Sequence, residues 1–375
     1  MLNTISLLKS LVNFDTESSK NNLPLIFFIE RILKKANFRT AIQKTHTDSV
    51  KKANLIAVIG KGTNGLILSG HTDTVPVGSS WRTNPFQLTE KQGRLYGLGA
   101  VNMKGAIATM ITSACPISKK VDKMKKSLSL VFTFDEESTF NGIKEILDVD
   151  LIAKTGLVII GEPTKQCPVI AHKGVTDIKI SIFGKEAHSS NPEQGINAIE
   201  IAGELIVKFR RLAAKIQEIK NPRFSPAYST LNIGKIKGGT VMNKVPAFCV
   251  ISLEYRSTSK KSDQEIFNNI KKIVRTLTKM NKGIKIEIEK KFVCSPFSSS
   301  IKKDTLSVIE VITNKKSSTA SFATEAPFYE EYGLPTILLG PGSIKQAHKS
   351  NEFITKTDLQ KAVKTYTQII ERFCF

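Results

Sequence analysis

Residues 66–76 read LILSGHTDTVP, and three later segments repeat the same grammar: VFTFDEEST at 131–139, LVIIGEPT at 157–164 and LGPGSIKQAHKSNEF at 339–353. In each, an apolar run stops at a turn, and a side chain able to ligate or titrate follows. Short apolar runs bounded by Gly or polar turns read as buried strands. Groups placed just past strand ends lie at the carboxyl edge of an open α/β sheet, where such folds build their sites. His71, Asp73, Asp135, Glu136, Glu137, Glu162 and His348 are therefore expected along one edge. Singly, each is ambiguous. A His-x-Asp pair is commonly a surface turn, and three adjacent acids repel one another and read equally as a solvated loop. Together, imidazole and carboxylate donors suit zinc or a related divalent metal. Asp73 is well placed to orient a metal-bound His71 ring.

Working outward, residues 22–36 and 104–115 carry helical periodicity, and strands are expected at 54–59, 66–68, 128–134 and 157–160. Alternation of this kind indicates an α/β domain with a mostly parallel sheet. The pattern changes after Gly174. Alternating strands at 176–183, 229–236, 247–256 and 284–292 enclose helices at 196–214 and 263–280, the second with Asp263 as N-cap. That order, β-α-β-β-α-β, is the ferredoxin-like split unit. The α/β style then returns, with a helix near 305–313, a strand at 335–339 and a closing helix at 357–372. The expected organisation is a catalytic domain in two parts, 1–173 and 294–375, interrupted by an inserted ferredoxin-like domain at 174–293.

The chain has 375 residues, with 55 Lys+Arg against 33 Asp+Glu, a net charge of +22. The apolar share of 41% excludes disorder as the main theme. The charge invites a nucleic-acid reading. Yet the lysines come as scattered pairs, Lys34-Lys35, Lys51-Lys52, Lys260-Lys261, Lys271-Lys272 and Lys302-Lys303, and read as a solvated surface. The densest stretch, residues 119–126, has no interleaved aromatics of the kind a single-strand binder uses. No specific nucleic-acid partner and no membrane are expected, since no apolar run approaches the roughly 18 residues a span needs. The five scattered cysteines and a start without signal-peptide features point to reduced thiols and the cytosol.

FTFDEES (132–138), GEPTKQCPVIAHKGV (161–175), GKEAHSSNPEQGINAIE (184–200) and the stretch from SFATEAP to AHKSNE (321–352) carry a resemblance over nearly the whole length. The chain resembles the zinc-dependent deacylases that include acetylornithine deacetylase, succinyl-diaminopimelate desuccinylase and aminoacylase, and is most similar to the acetylornithine branch. The resemblance implies a zinc-exopeptidase-like domain carrying a ferredoxin-like dimerisation domain. It implies a homodimer that hydrolyses an N-acyl amino acid, N2-acetyl-L-ornithine to L-ornithine and acetate in arginine biosynthesis. Desuccinylation or broad aminoacylase action are the sibling alternatives. His71 and Glu162 would hold one Zn2+, Glu137 and His348 a second, with Co2+ as a substitute. Glu136 would be the general base and Asp73 would orient His71. His188 would reach a partner subunit's site to stabilise the oxyanion. Asn243 and Arg256 would bind the substrate carboxylate, and Glu325 is the candidate for the ornithine side-chain ammonium.

One segment departs from the family. Where it has Gly-Arg-Gly, two residues, then Asp-Met-Lys-Gly, this chain reads GLGAVNMKGA at 97–106. Leu98 stands for the Arg, and Asn102 for the Asp that bridges both metals. An amide offers one neutral oxygen and an NH2 that cannot ligate, which favours occupancy by a single metal. A second class of reading follows from it: a weakened homologue kept as a binding protein.

Overall fold

The computed structural model describes residues 3–47, 49–146 and 155–375, and the chain divides into two compact units. The first comprises Met1–Ile170, Ser299–Ser318 and Glu325–Phe375; the second comprises Ala171–Ser298 and Thr319–Thr324.

Four parallel strands form the centre of the first unit's sheet, in the order Leu128–Thr133, Gly65–His71, Thr155–Ile160 and Thr336–Leu338. They are the apolar runs picked out in the sequence. The first two are buried along their whole length, as strands covered on both faces must be. Antiparallel strands extend the Leu128 side: Val50–Ile59, and then Arg39–Thr47, a half-exposed edge strand whose polar side chains gave no apolar signal. At the other side Val169 pairs antiparallel with Leu338, so the sheet is mixed, with a parallel core. Helices Thr4–Val12, Lys104–Ala114 and Lys356–Cys374 pack together, joining Leu7, Leu11, Ile107, Ile111, Ile369 and Ile370 to one core with Leu68, Leu130 and Ile159. Every residue of Lys104–Ala114 is buried. Its small residues permit this: a Cβ on Gly105 would lie 2.4 Å from the Ala100 carbonyl oxygen.

The second unit has the split order. Strands Val175–Phe183, Thr230–Gly238, Phe248–Arg256 and Lys285–Cys294 and helices Ala198–Glu218 and Lys260–Met280 alternate as β-α-β-β-α-β. All pairings are antiparallel, with Phe248–Arg256 and Val175–Phe183 central. Strand alternation turns Ile178, Ile180, Ile182, Cys249, Ile251 and Leu253 inward against Leu205, Phe209, Ile270 and Leu277 of the helices. The N-cap expectation is corrected here. Ser259 caps the second helix in a capping box with Ser262, and Asp263 lies in its first turn, accepting from Ser257 Oγ at 3.1 Å.

Candidate metal centre

The Gly65–His71 strand delivers His71 to the sheet edge opposite Thr133, and only 1% of the residue is exposed. The next residues hold it there. Thr72 Oγ1 donates to the Thr133 carbonyl at 2.7 Å, and Asn22 Nδ2 donates to Thr72 Oγ1 at 3.0 Å. His71 Nδ1 lies 3.0 Å from the Asp73 carbonyl oxygen and 3.5 Å from its carboxylate. Both acceptors favour the proton on Nδ1, leaving the Nε2 lone pair for a ligand.

Asp73 also orders the acidic turn. Its two carboxylate oxygens accept the backbone N–H groups of Glu136 and Glu137, each at 3.1 Å, and its Oδ2 accepts from Ser18 Oγ at 2.6 Å. The three acids after Phe134 are not a solvated loop. Asp135, with φ of 57°, is buried and paired with Lys52 at 2.8 Å. Lys52 was read as surface with Lys51; it is instead 2% exposed, and its Nζ also donates to the Ser18 carbonyl. A buried carboxylate so close to other acids needs a cation. With Asp135 neutralised, its two neighbours diverge. Glu136 Oε2 comes to 3.9 Å from His71 Nε2, while Glu137 Oε1 meets His348 Nε2 at 2.7 Å.

Asn102 lies between these two groups. Its Oδ1 is 3.4 Å from His71 Nε2; its Nδ2 donates to Glu137 Oε1 at 2.5 Å and lies 3.2 Å from His348 Nε2. The turn carrying it is clamped by Glu352. One oxygen of that buried carboxylate accepts from the backbone N–H of Val101 at 2.7 Å and of Asn102 at 3.0 Å, the other from Gly99 at 2.9 Å. Neither Lys52 nor Glu352 was singled out from the sequence; for Glu352 the only signal was an acid four residues after the candidate His348. Leu98 is buried and apolar.

The electrostatics call for a cation. Ligand atoms of His71, Glu136 and Glu137 lie within 4.8 Å of one another. Burial lifts the Glu136 pKa well above the carboxylate range; the His71 charge opposes this, and Glu137, Glu162 and Glu325 add to it. Burial likewise pushes Glu162 up to about 7 and Glu325 up to about 8. For His71, burial pulls downward, but Glu136 and Asp73 outweigh it and raise the value. Both Glu325 oxygens lack a hydrogen-bond partner among the described residues. Buried acids this crowded, beside two imidazoles, form a donor set that fits a divalent cation of the zinc type.

His188, Asn243 and Arg256 belong to the second unit. There the His188 and Asn243 loops are neighbours, since His188 bridges Lys244 and the Ser189 N–H donates to the Asn243 carbonyl at 3.1 Å. His188 is exposed, with Nδ1 2.7 Å from Ser190 Oγ. Arg256 donates to Glu254 at 2.8 and 3.3 Å and to the Ser321 carbonyl at 3.1 Å.

Residues 67–372 match the profile of peptidase family M20/M25/M40, and the chain belongs to that family of metal-dependent hydrolases. Its relatives include the acetylornithine deacetylase of Buchnera aphidicola, 34% identical over 99% of this chain and 98% of that protein. The acetylornithine deacetylase of Photorhabdus laumondii is 35% identical over 96% of this chain and 93% of its own. In fold the chain is similar to a tripeptidase from Staphylococcus aureus, with a TM-score of 0.79 at 19% identity over 100% of this chain and 99% of the other. A Bacillus subtilis protein described as a dinuclear metal-binding peptidase of the M20 family matches with a TM-score of 0.68 at 15% identity, over 98% of each chain. Among the described residues, no helix is long and apolar enough to cross a membrane.

Proposed function

We propose that this chain is a zinc-dependent amidohydrolase that removes the acyl group of an N-acyl amino acid, with N2-acetyl-L-ornithine as the preferred substrate. The observation that carries the reading is the double use of Asp73. One carboxylate faces His71 Nδ1 and accepts the N–H groups of Glu136 and Glu137, so that a base and a ligand come from adjacent residues. The full-length likeness to acetylornithine deacetylases supports the substrate class.

His71 and Glu162 would hold one zinc, and Glu137 and His348 the other, with Asn102 between them. When bound, zinc would polarise the scissile carbonyl and acidify a nearby water. Glu136 takes the proton from that water and returns it to the leaving amine. His188, supplied by a second copy in a homodimer, donates to the developing oxyanion. Arg256 and Asn243 hold the α-carboxylate. Glu325, a buried carboxyl without a counter-charge, takes the side-chain ammonium; an unchanged KM for acetylornithine in Glu325→Gln would remove it from this role.

The test is one assay of the zinc- or cobalt-loaded protein on N2-acetyl-L-ornithine and succinyl-diaminopimelate. A kcat/KM at least about tenfold higher for acetylornithine is expected, about 1.4 kcal/mol of discrimination. A reversed preference moves the chain to the desuccinylase reading. Turnover of neither, regained in Asn102→Asp, supports the weakened homologue, the second reading that the amide in the ligand set favours.

A further inference from the structure

We infer that Asn102 makes the two halves of the centre unequal: one cation is held tightly on the His71 side, and the Glu137–His348 side takes a second only weakly. This rests on the metal-dependent reading above and adds which half is filled first. The argument is geometric. Asn102 is the side chain that meets both groups, with Oδ1 toward His71 Nε2 and Nδ2 toward Glu137 and His348. An amide carries its usable lone pairs on oxygen alone; its NH2 is a donor and cannot ligate. It therefore serves one side and presents hydrogens to the other.

The observed orientation is the favoured one. Turning the amide over would set its oxygen against Glu137 Oε1, now 2.5 Å from Nδ2, and lose that charge-assisted hydrogen bond. Nor can the residue withdraw. It is 6% exposed, and Glu352 fixes the backbone N–H groups of Gly99, Val101 and Asn102. A cation entering the Glu137–His348 side has to displace the Nδ2 hydrogen bond. It then sits beside a neutral amide with no shared anion to screen it from the first.

The test is metal counting on the metal-free full-length protein, independent of turnover. Zn2+ is titrated against a chromophoric chelator, and retained metal is measured by mass spectrometry after gel filtration at fixed free Zn2+. The native chain is expected to retain one Zn2+, with the second bound at least roughly 100-fold more weakly. Asn102→Asp is expected to retain two, within about tenfold of each other. Glu137→Gln should leave the tight ion in place and weaken only the second, whereas His71→Ala should abolish the tight one. Two equally tight ions in the native chain, a single ion in Asn102→Asp, or loss of the tight ion in Glu137→Gln overturns the inference. One tight ion without hydrolysis of any acyl amino acid removes the proposed function and leaves this inference standing. Two tight ions with hydrolysis do the reverse.

Discussion

In the second unit Ile178, Ile180, Ile182, Ile251 and Leu253 close an apolar core, and ion pairs such as Lys285–Glu287 lie on the surface with side chains 70% and 52% exposed. In the first unit His71, Asp73, Asp135, Glu162, Glu325 and Glu352 are each at most 3% exposed. Each unit buries an apolar interior of its own, the larger in the first, so the acids are not needed to fold it. Burying them opposes folding, because each charge leaves water and meets others of its own sign. The strand ends of the first unit gather these acids where a divalent cation would balance them, and hold the electrostatic tension that chemistry can use.

The largest expected effect tests whether that tension is functional. Glu136→Gln keeps the size of the side chain and removes the base. It should lower kcat by roughly 10²–10⁴-fold, with retained metal unchanged. Activity within a few fold of the native chain would make Glu136 one more buried acid and dissolve the contrast.

Lys52→Met should then show that buried charge in the first unit is balanced residue by residue. Removing one partner of a buried pair should cost about 3–5 kcal/mol in urea unfolding. Lys285→Met, at the exposed pair of the second unit, should cost about 0–1 kcal/mol. Equal losses at the two sites would mean that burial does not separate the units.

Metal removal sharpens the comparison further. At free zinc about 1,000 times its Kd, binding should stabilise the folded chain by about 4 kcal/mol. Hydrogen exchange should assign the loss on chelation to strands such as Leu128–Thr133 and spare Phe248–Arg256. Without metal, Glu325 at about 8 and Glu352 at about 7 have raised values, chiefly through burial, so the folded state holds protons that the unfolded chain releases. Their contribution is present below the unfolded value near 4.5 and is lost as pH rises through about 7 to 8. Metal-free protein should therefore weaken over that window, and metal-loaded protein much less.

What could be read in the sequence divides along the same line. Strands announced themselves where apolar runs broke against a His or an acid, and the split unit announced itself by alternation. Those signals are local. His71, Asp73, Glu136, Glu137 and His348 stood out as candidates because each follows such a break. Lys52 was invisible because a lysine beside another lysine reads as surface, and its partner Asp135 lies 83 positions away. Glu352 escaped for the same reason: its three contacts at 99–102 form only once the chain has folded back. The Arg39–Thr47 strand was missed because an edge strand facing water carries little apolar pattern. The candidate ligands were legible, and of the residues that position them Asp73 was but Lys52 and Glu352 were not, since a candidate ligand needs only a residue type and positioning over long range needs a partner.

The last expected effect has the opposite sign and belongs to the second unit. His172 is buried against the Phe297 ring, with centroids 5.2 Å apart; its Nδ1 lies 2.8 Å from the Lys173 carbonyl oxygen. Its Nε2 has no hydrogen-bond partner among the described residues. Burial lowers its pKa from 6.5 to about 4, so the fold keeps the ring neutral while the unfolded chain takes up a proton. That contribution is fully present above pH 6.5 and is lost as pH falls through about 4, and at one residue it amounts to roughly 3 kcal/mol. His172→Phe keeps an aromatic ring beside Phe297 and removes the titration. The stability difference between native chain and variant should therefore shift by roughly 3 kcal/mol from pH 7 to pH 4, in the variant's favour at acid pH. A difference constant across that range would mean that the ring is protonated in the fold. The two units would then no longer fail at opposite ends of the pH scale, the first by releasing protons from its acids and the second by having to admit one.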